Sequence, residues 1–384
     1  MLRDFRLLVL LVAGSLTTMA GGVVAPILPE MVQQLHLDPA FAGNLVSMHC
    51  LTIALFSPLL GILADRVGRL RVLVPSLILY ALFGIAGAFM HSLVPLLVTR
   101  GLLGAASGGI AAASLGLLGS MYEDEKRSQA LGYATSTLTI TGIAFPLLGG
   151  WVGATHWQLA FCLYGLGLPL ALLAALSLRE KPQPQKQAKP IVNDSGSKLR
   201  TVLGRSHTLR LLLTLTLASV SMYAVVIYAP LYLKATLGAG ATLNGIVLAS
   251  RAIGAAAISA FGAKWLAQTL GAAQATAAGF GLMAVTLTTI PLLHQLSWIL
   301  LTAVFFGVGF GIVLPTLYST LANLAPSDLR SSVLAAGTGA GFLGQFLSPI
   351  LLGPVLGYGG LEGVFYAAAT IALVAGLVLF APMR

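Results

Sequence analysis

Twelve long apolar runs divide this sequence and limit what it can fold into. Hydrophobic residues make up 57% of the 384 residues and charged residues only 8%, whereas a soluble domain is about half apolar and about a quarter charged. A helix of ~20 apolar residues crosses the hydrocarbon core of a bilayer. The sequence therefore predicts an all-α membrane protein with twelve transmembrane helices. They cover residues 7–31, 41–64, 72–90, 93–121, 129–153, 158–178, 209–233, 242–263, 272–293, 297–322, 331–355 and 362–382.

The positions of the basic residues predict how the chain crosses the membrane. If the N-terminus is cytoplasmic, Lys234 is the one Lys or Arg that falls outside, and only Arg100 and Arg251 lie well inside spans. This is the distribution that the positive-inside rule describes, so the net charge of +10 does not indicate nucleic-acid binding. We expect a multi-pass protein of the cell (inner) membrane, surrounded by membrane lipid, with both termini in the cytoplasm.

A polar stretch over residues 179–208 separates the first six predicted spans from the last six. It contains Pro182, Pro184 and Pro190 and many basic residues, and it lacks the apolar content of a domain. The sequence therefore predicts a cytoplasmic linker between two six-helix bundles, residues 1–178 and 209–384.

The two halves share a residue pattern when the second is shifted back by about 203 residues. Matching halves are typical of secondary transporters, which rock around a site near the middle of the membrane. They argue against a channel with a single pore. The aligned pairs are Arg127 with Arg330, Pro146 with Pro349, Gly104 with Gly307 and Gly108 with Gly311.

A charge-dense motif, Gly61-x-x-x-Asp65-Arg66-x-Gly68-Arg69, lies between the second and third apolar runs. We interpret this segment as a cytoplasmic turn that reverses the chain between two spans. The motif, its position, the number of spans and the central linker together resemble those of the major facilitator superfamily, over nearly the whole chain. The resemblance implies two pseudo-symmetric bundles that work by alternating access.

The same resemblance implies a conformational latch on the cytoplasmic side. The alternative is a topological role, in which the arginines only anchor a loop. The second half has Gln268 in place of Asp65 and Thr269 in place of Arg66. A loop needed only to turn the chain would not be charged in one half alone, which favours a specific contact by Asp65. The predicted latch residues are Gly61, Asp65, Arg66, Gly68 and Arg69, with Arg127 as a possible partner.

Arg100 lies within the fourth predicted span, where an unpaired charge costs at least ~2.5–3.5 kcal/mol. It must therefore face protein or water. With Gly104 four residues later, it resembles a second superfamily motif, which implies a role in proton coupling. The alternative is a structural arginine that is satisfied by helix-end carbonyls.

The fifth span contains the run Pro146-Leu147-Leu148-Gly149-Gly150-Trp151-Val152-Gly153. This run resembles the antiporter motif of the twelve-helix drug:proton branch of the superfamily. The match is incomplete, because Phe145 and Thr141 stand where that motif has glycine. Proline kinks a helix, and glycines four residues apart allow a neighbouring helix to approach closely. Helix packing alone is the alternative to a seal against proton leak. The predicted gate-helix residues are Pro146, Gly149, Gly153 and Pro349.

Few other titratable groups fall within the predicted spans. Arg251 lies near the middle of the eighth span, Glu30 at the outer end of the first, and His49 in the second. Two buried arginines against one glutamate favour an electropositive or wet cavity and an anionic or zwitterionic substrate, unless Arg251 only bonds polar neighbours. Glu30 and His49 join Arg100 as candidates for proton coupling. The alternatives are an interfacial charge for Glu30 and a polar packing residue for His49.

The remaining polar residues of the spans predict a mildly polar cavity that suits an amphipathic organic substrate. A sugar carrier usually has several buried amides and acids, and this sequence is poor in both. The predicted cavity residues are Arg251, Thr17, Thr18, Tyr223, Tyr228, Tyr318 and Gln345.

The sequence has no nucleotide-binding glycine loop, metal-ligand spacing or nucleophile motif. We therefore expect no enzyme, no cofactor and no metal site. The function we expect is proton-coupled efflux of amphipathic organic compounds or drugs by a monomeric secondary transporter, with a small organic substrate and protons as its partners. The alternative is an organic-anion carrier, by uniport or exchange, with Arg100 and Arg251 as counter-charges.

Overall fold

The computed structural model describes residues 4–178, 199–326 and 329–379, with Asp124 described by its backbone alone. Most of the predicted linker and both chain ends lie outside these ranges. Within them every regular element is a helix, and eleven helices are long and apolar enough to cross a membrane.

The helices of the first half begin with a broken span. They are α1 (Phe5–Gly22), α2 (Leu28–Gln34), α3 (Pro39–Val67), α4 (Arg69–Ala86), α5 (Leu93–Met121), α6 (Asp124–Val152), α7 (Trp157–Cys162) and α8 (Gly167–Ser177). Those of the second half are α9 (Ser206–Leu237), α10 (Ala241–Phe261), α11 (Ala263–Leu270), α12 (Ala272–Thr289), α13 (Leu296–Leu324) and α14 (Arg330–Val378). Short 3₁₀ turns occupy Ala25–Ile27, Gly87–Phe89, Leu163–Leu166 and Ile290–Leu292.

The last helix accounts for the difference between eleven helices and twelve predicted spans. α14 has 49 residues, which is about 74 Å at 1.5 Å per residue, more than twice the hydrocarbon thickness. Gly360 interrupts it with φ 64° and ψ −169°, a conformation open essentially to glycine alone. The two arms match the predicted spans 331–355 and 362–382, so the twelve-helix fold is confirmed.

The first span is interrupted where the sequence predicts one continuous helix. Pro26 has no backbone N–H to donate, and the chain tightens into a 3₁₀ turn before α2 begins. The Val24 N–H bonds the Gly21 carbonyl at 3.2 Å, instead of the Ala20 carbonyl that it would meet in a continuous α-helix. The break therefore frees the Ala20 carbonyl from the helix.

Two compact units make up the chain. The first contains Met1–Lys181 and Ile227–Ala249, and the second contains Pro182–Val226 and Ser250–Arg384. In the first unit α3 and α4 pack on α5, and α1 packs on α5 and α6; in the second α12 packs on α13 and α14. The first unit thus includes the end of α9 and the start of α10. The predicted bundle boundaries at residues 178 and 209 remain a prediction.

Glycines aligned by the internal repeat perform the same packing role in each unit. A methyl group added at Gly104 would overlap the backbone of His49, and one at Gly307 would overlap the Arg251 carbonyl. Both glycines therefore let the fourth helix of their half lie directly on the second. This equivalence agrees with the two related halves that the sequence predicts.

Replacing Gly307 with alanine should destabilise the second unit. The added methyl group has no room beside the Arg251 carbonyl, and overpacking of this kind costs about 1–3 kcal/mol. We expect Gly307→Ala to lower the melting temperature of the protein in detergent, measured by fluorescence-detected size-exclusion chromatography after heating. Gly281→Ala is the control, because nothing lies within 4 Å of a methyl group there. Equal melting temperatures for the two variants would contradict this packing.

Candidate functional site

The charge-dense motif forms a sharper turn than the sequence predicts. α3 continues through Gly61 and Asp65 to Val67, and α4 begins at Arg69, so a single residue separates the helices. That residue, Gly68, has φ 109° and ψ 136°, where a side chain would be strained. The prediction of a turn over the whole segment was wrong at both ends, because residues 61–67 complete α3 and Arg69 already begins α4. Only Gly68 leaves the helical conformation.

Asp65 and Arg69 pair across this turn. Arg69 donates from Nε and Nη2 to Asp65 Oδ1 at 3.2 and 3.1 Å, and its Nη1 donates to the Gly116 carbonyl of α5. The Asp65 side chain is 68% exposed, and exposed pairs contribute only about 0–1 kcal/mol. Arg69 therefore ties the turn to α5, and its bond to Asp65 is cheap to exchange.

The other charged latch residues lie apart from this pair. Arg66 is exposed on the last turn of α3. Arg127, near the start of α6, lies against Gly119 of α5, where an added methyl group would be 3.5 Å from its Nη2. The structure therefore joins Asp65 to Arg69 and not to Arg127.

Sequence reasoning missed a further contact at this end of the first unit, which we call the Asp65 end. Asp4 caps α1 by accepting a hydrogen bond from the Arg6 N–H at 3.1 Å, and it accepts another from the Tyr122 hydroxyl at 2.9 Å. Burial acts to raise the pKa of Asp4, but the bonds from Tyr122 and Arg6 outweigh it and lower the pKa below its ordinary 3.8. Burial, with the bond to Asp4, raises the pKa of Tyr122 to about 12.

Arg100 reaches the broken end of α1. It is 1% exposed, and its Nη1 donates to the Ala20 carbonyl at 3.1 Å and to the Tyr164 hydroxyl at 2.9 Å. The guanidinium carbon lies 4.7 Å from the centre of the Phe161 ring and 5.0 Å from that of Tyr164. Helix-end carbonyls were the alternative to a proton-coupling role for Arg100, and the structure contains such a contact. Within the described ranges Nη2 makes no hydrogen bond.

His49 faces the same region from α3. It is buried, its Nε2 lies 3.5 Å from Cys50 Sγ, and its Nδ1 has no hydrogen-bond partner in the described part of the chain. It is within electrostatic range of Arg100. The structure therefore brings together two of the three residues predicted for proton coupling.

Glu30, the third of them, lies on α2 at the opposite end of the unit, which we call the Glu30 end. Lys234 Nζ is 3.5 Å from Glu30 Oε1, and the side chains are 35% and 16% exposed. Nearby, Asn244 Nδ2 donates to the Pro26 carbonyl at 3.2 Å. The predicted topology places Glu30 and Lys234 on the same side of the membrane, and this was the one indication in the sequence that they could meet. Their contact was not predicted.

The predicted gate helix, α6, packs at the Glu30 end. A methyl group added at Gly149 would overlap the backbone of a neighbouring segment, and one added at Gly153 would overlap the Ile27 side chain. In the second unit Pro349 is buried on α14, next to Ser348, whose hydroxyl donates to the Val220 carbonyl at 2.9 Å. Three residues of α6 lie close to neighbouring backbone in the first unit: Gly149 to Val23, Gly150 to Ala241, and Pro146 to Gly245.

The predicted cavity residues are divided between the two units. Thr18 in the first unit hydrogen-bonds Thr141 of α6 at 3.1 Å between hydroxyl oxygens. In the second unit Arg251 is half-buried, within electrostatic range of Tyr223, and its Nε makes no hydrogen bond to the described residues. A single cavity that contains the whole set remains a prediction. Thr17, Thr18 and Tyr228 belong to the first unit, and Arg251, Tyr223, Tyr318 and Gln345 to the second.

Comparison with known proteins decides the family. The model of the Major Facilitator Superfamily matches residues 10–349 and 211–384. The chain belongs to this superfamily. The resemblance first seen in the charge-dense motif is therefore confirmed, and the chain is a multi-pass membrane transporter rather than an enzyme.

Curated relatives include several exporters. The bacillibactin exporter of Bacillus subtilis strain 168 is 23% identical over 345 residues, which cover 86% of this chain and 85% of that protein. Multidrug resistance protein 1 of the same strain is 27% identical over 191 residues, 48% of each chain. The quinolone resistance protein NorA of Staphylococcus aureus is 26% identical over 163 residues, 42% of each chain.

Solved structures of this superfamily's fold cover nearly the whole chain. A bacterial homologue of the human lysosomal transporter Spinster, in an inward-facing and occupied conformation, has a TM-score of 0.80 at 16% identity over 98% of this chain and 96% of that one. A D-xylose-proton symporter has a TM-score of 0.79 at 14% identity, with coverage of 98% and 97%. At these identities the likeness shows the fold alone.

Replacing Tyr122 with phenylalanine should destabilise the protein in a pH-dependent way. The hydroxyl helps to hold Asp4 ionised below its ordinary pKa, so its stabilising effect is present above pH 3.8 and is lost as pH falls through the lowered native pKa. We expect the melting temperature of Tyr122→Phe to fall below that of the parent at pH 7 and to approach it under acid conditions. Tyr358→Phe is the control, because Tyr358 is 96% exposed. A difference that does not change with pH would contradict the role of Asp4.

Proposed function

We propose that this chain exports amphipathic organic compounds across the cell membrane, driven by inward proton flow and working by alternating access. The observation that carries the proposal is its similarity, along 86% of its length, to a bacillibactin exporter. Partial similarity to a multidrug resistance protein and to a quinolone resistance protein supports the same class of substrate. The fold shared with a xylose symporter does not argue for a sugar, because one fold serves many substrates.

In this proposal the Glu30 end faces outward and Glu30 is where protons enter. A carboxylate that is 16% exposed and paired with Lys234 holds α2 against the end of α9. Protonation removes the charge of Glu30 and with it the attraction. The Asn244 bond to Pro26 and the close packing of α6 then keep the segments aligned, so that they can close again when the proton leaves.

At the opposite end we propose that the Asp65 pair works as an exchangeable latch. Asp65 is mostly exposed and bonded to a residue four positions away in its own segment. A carboxylate in this position can exchange Arg69 for another donor at small cost. Arg127 on α6 is the candidate partner of Asp65 in a second conformational state of the transporter. In that state Arg69 would keep its bond to the Gly116 carbonyl.

One observation favours the alternative function, an organic-anion carrier. The buried Nε of Arg251 makes no hydrogen bond within the described residues, and an acidic group on a substrate would satisfy it. In that case benzoate should cross liposomes with no pH gradient, and Arg251→Ala should abolish the movement. Under the exporter proposal Arg251→Ala only weakens the export of a cationic dye.

Replacing Glu30 with glutamine should remove the response to a pH gradient. We expect purified protein in liposomes to move ethidium faster when protons flow in the opposite direction, and Glu30→Gln to move it at one rate with or without the gradient. Lys234→Gln breaks the same ion pair but keeps the carboxylate, so it should still respond to the gradient.

Glu362→Gln is the matched control for this experiment, because Glu362 is an exposed carboxylate outside the proposed site. It should behave like the parent protein. Parent protein whose dye movement ignores the pH gradient would refute proton-coupled export. A Glu30→Gln variant that retains the full response would refute Glu30 as the proton carrier.

Replacing Asp65 with asparagine should slow turnover and leave binding intact. The variant loses its charged bond to Arg69 and the ability to exchange it for another cation, but it changes no residue of the predicted cavity. We expect the rate of ethidium export to fall by up to about fivefold, as for the loss of an exposed ion pair worth up to about 1 kcal/mol, with the dissociation constant from fluorescence titration unchanged. Glu123→Gln, an exposed neighbour, is the control. Loss of binding would argue against a latch.

A further inference from the structure

The break in α1 leaves a buried backbone carbonyl that needs a partner. The Ala20 carbonyl loses the Val24 N–H, which bonds Gly21 instead, and a buried polar group without a partner is costly inside a membrane. Two side chains meet this carbonyl: Tyr164 Oη donates to it at 2.9 Å and Arg100 Nη1 at 3.1 Å. The end of α1 is also the negative end of its helix dipole, which favours a cation there.

Aromatic rings hold the guanidinium of Arg100 at this carbonyl. The guanidinium carbon lies over the Phe161 and Tyr164 rings at 4.7 and 5.0 Å, distances at which a ring face attracts a cation. Phe161 and Tyr164 themselves meet edge to face with their centres 6.0 Å apart. Tyr164 therefore touches Arg100 with both its ring and its hydroxyl, and it shares the same acceptor.

We propose that Tyr164 is a positioning residue that holds Arg100 on the free carbonyl of α1, so that the break and α5 move together. Glu30 lies just beyond this break, on α2. When α2 moves on protonation of Glu30, the bond at Ala20 passes the movement to Arg100 and α5. This inference rests on the proposed function, because it assigns Tyr164 to the coupling of proton and substrate movement.

A neighbouring tyrosine provides a matched control. The hydroxyl of Tyr80 donates to the Leu16 carbonyl at 2.7 Å, one turn before Ala20 on the same helix. Tyr80 is also fully buried, and its ring meets Tyr164 edge to face at 5.5 Å. Leu16 lies inside α1 and not at the break. Tyr80→Phe therefore removes an equivalent hydroxyl without loosening Arg100.

The experiment compares proton and substrate movement in liposomes for the parent, Tyr164→Phe and Tyr80→Phe. A trapped pH-sensitive dye reports protons moved per ethidium, and ethidium exchange without a gradient reports transport alone. We expect Tyr164→Phe to keep exchange within about twofold of the parent and to lose about tenfold in protons moved per ethidium, as for the loss of a hydrogen bond to a charged group. Tyr80→Phe should match the parent in both measurements.

A chemical readout tests the positioning itself, independently of transport. Phenylglyoxal modifies accessible arginines, and mass spectrometry gives the rate at Arg100. We expect modification about tenfold faster in Tyr164→Phe than in the parent, and unchanged in Tyr80→Phe. Phe161→Leu keeps the Tyr164 hydroxyl and removes one of the two rings that contact Arg100, so it should give a smaller increase in the modification rate. It replaces Tyr164→Phe in the experiment if that variant does not fold.

Each contrary outcome has a distinct meaning. An unchanged modification rate in both Tyr164→Phe and Phe161→Leu would overturn the positioning role, whether or not the chain moves protons. Faster modification with unchanged protons per ethidium would overturn the link to coupling. Equal losses in Tyr164→Phe and Tyr80→Phe would show a general packing effect and overturn the proposal. A parent protein that moves ethidium without protons would refute the proposed function, and the modification rates would still decide the role of Tyr164.

Discussion

The structure of the first unit depends on how the interrupted backbone of α1 is satisfied. In a membrane, a helix can break only where side chains or neighbouring helices bond the polar groups that the break frees. Here Pro26 breaks the first span, and Arg100 and Tyr164 bond the Ala20 carbonyl that is freed. A charge that would be costly in lipid and a carbonyl that would be costly alone thus stabilise each other. This explains why Arg100 can lie buried although no carboxylate of the described residues pairs with it.

Charged contacts at the two ends of this unit differ in burial and therefore in what they can do. At the Asp65 end the carboxylate is 68% exposed, whereas Glu30 is 16% exposed. Exposed pairs are weak and exchange easily, which suits a latch. A partly buried pair is screened less by water and changes more in energy when one member gains a proton, which suits a proton-driven release. α1 runs between the two ends, so its break is where movement at one end can be passed into the unit.

The apolar runs predicted the fold because a bilayer imposes a length and a composition on each span. The repeat aligned Gly104 with Gly307, and the structure gives these glycines the same packing role, since related halves pack in the same way. Contacts between residues far apart in the chain were missed. Tyr164 reads as one more aromatic residue in an apolar run, and nothing in its spacing shows that its hydroxyl meets Ala20 or Arg100. Likewise the sequence places Glu30 and Lys234 on one side of the membrane but does not show which helices are neighbours there.

The central claim is that protonation of Glu30 releases α2 from the end of α9. Spin labels at Gln33→Cys and Ala235→Cys, both exposed positions, report the distance between these segments by pulsed electron resonance, in a chain with Cys50 and Cys162 replaced by alanine. The account predicts that a population at longer distance grows as pH falls, and that Glu30→Gln shows this population at every pH. A distance distribution that responds to neither pH nor Glu30→Gln would contradict it.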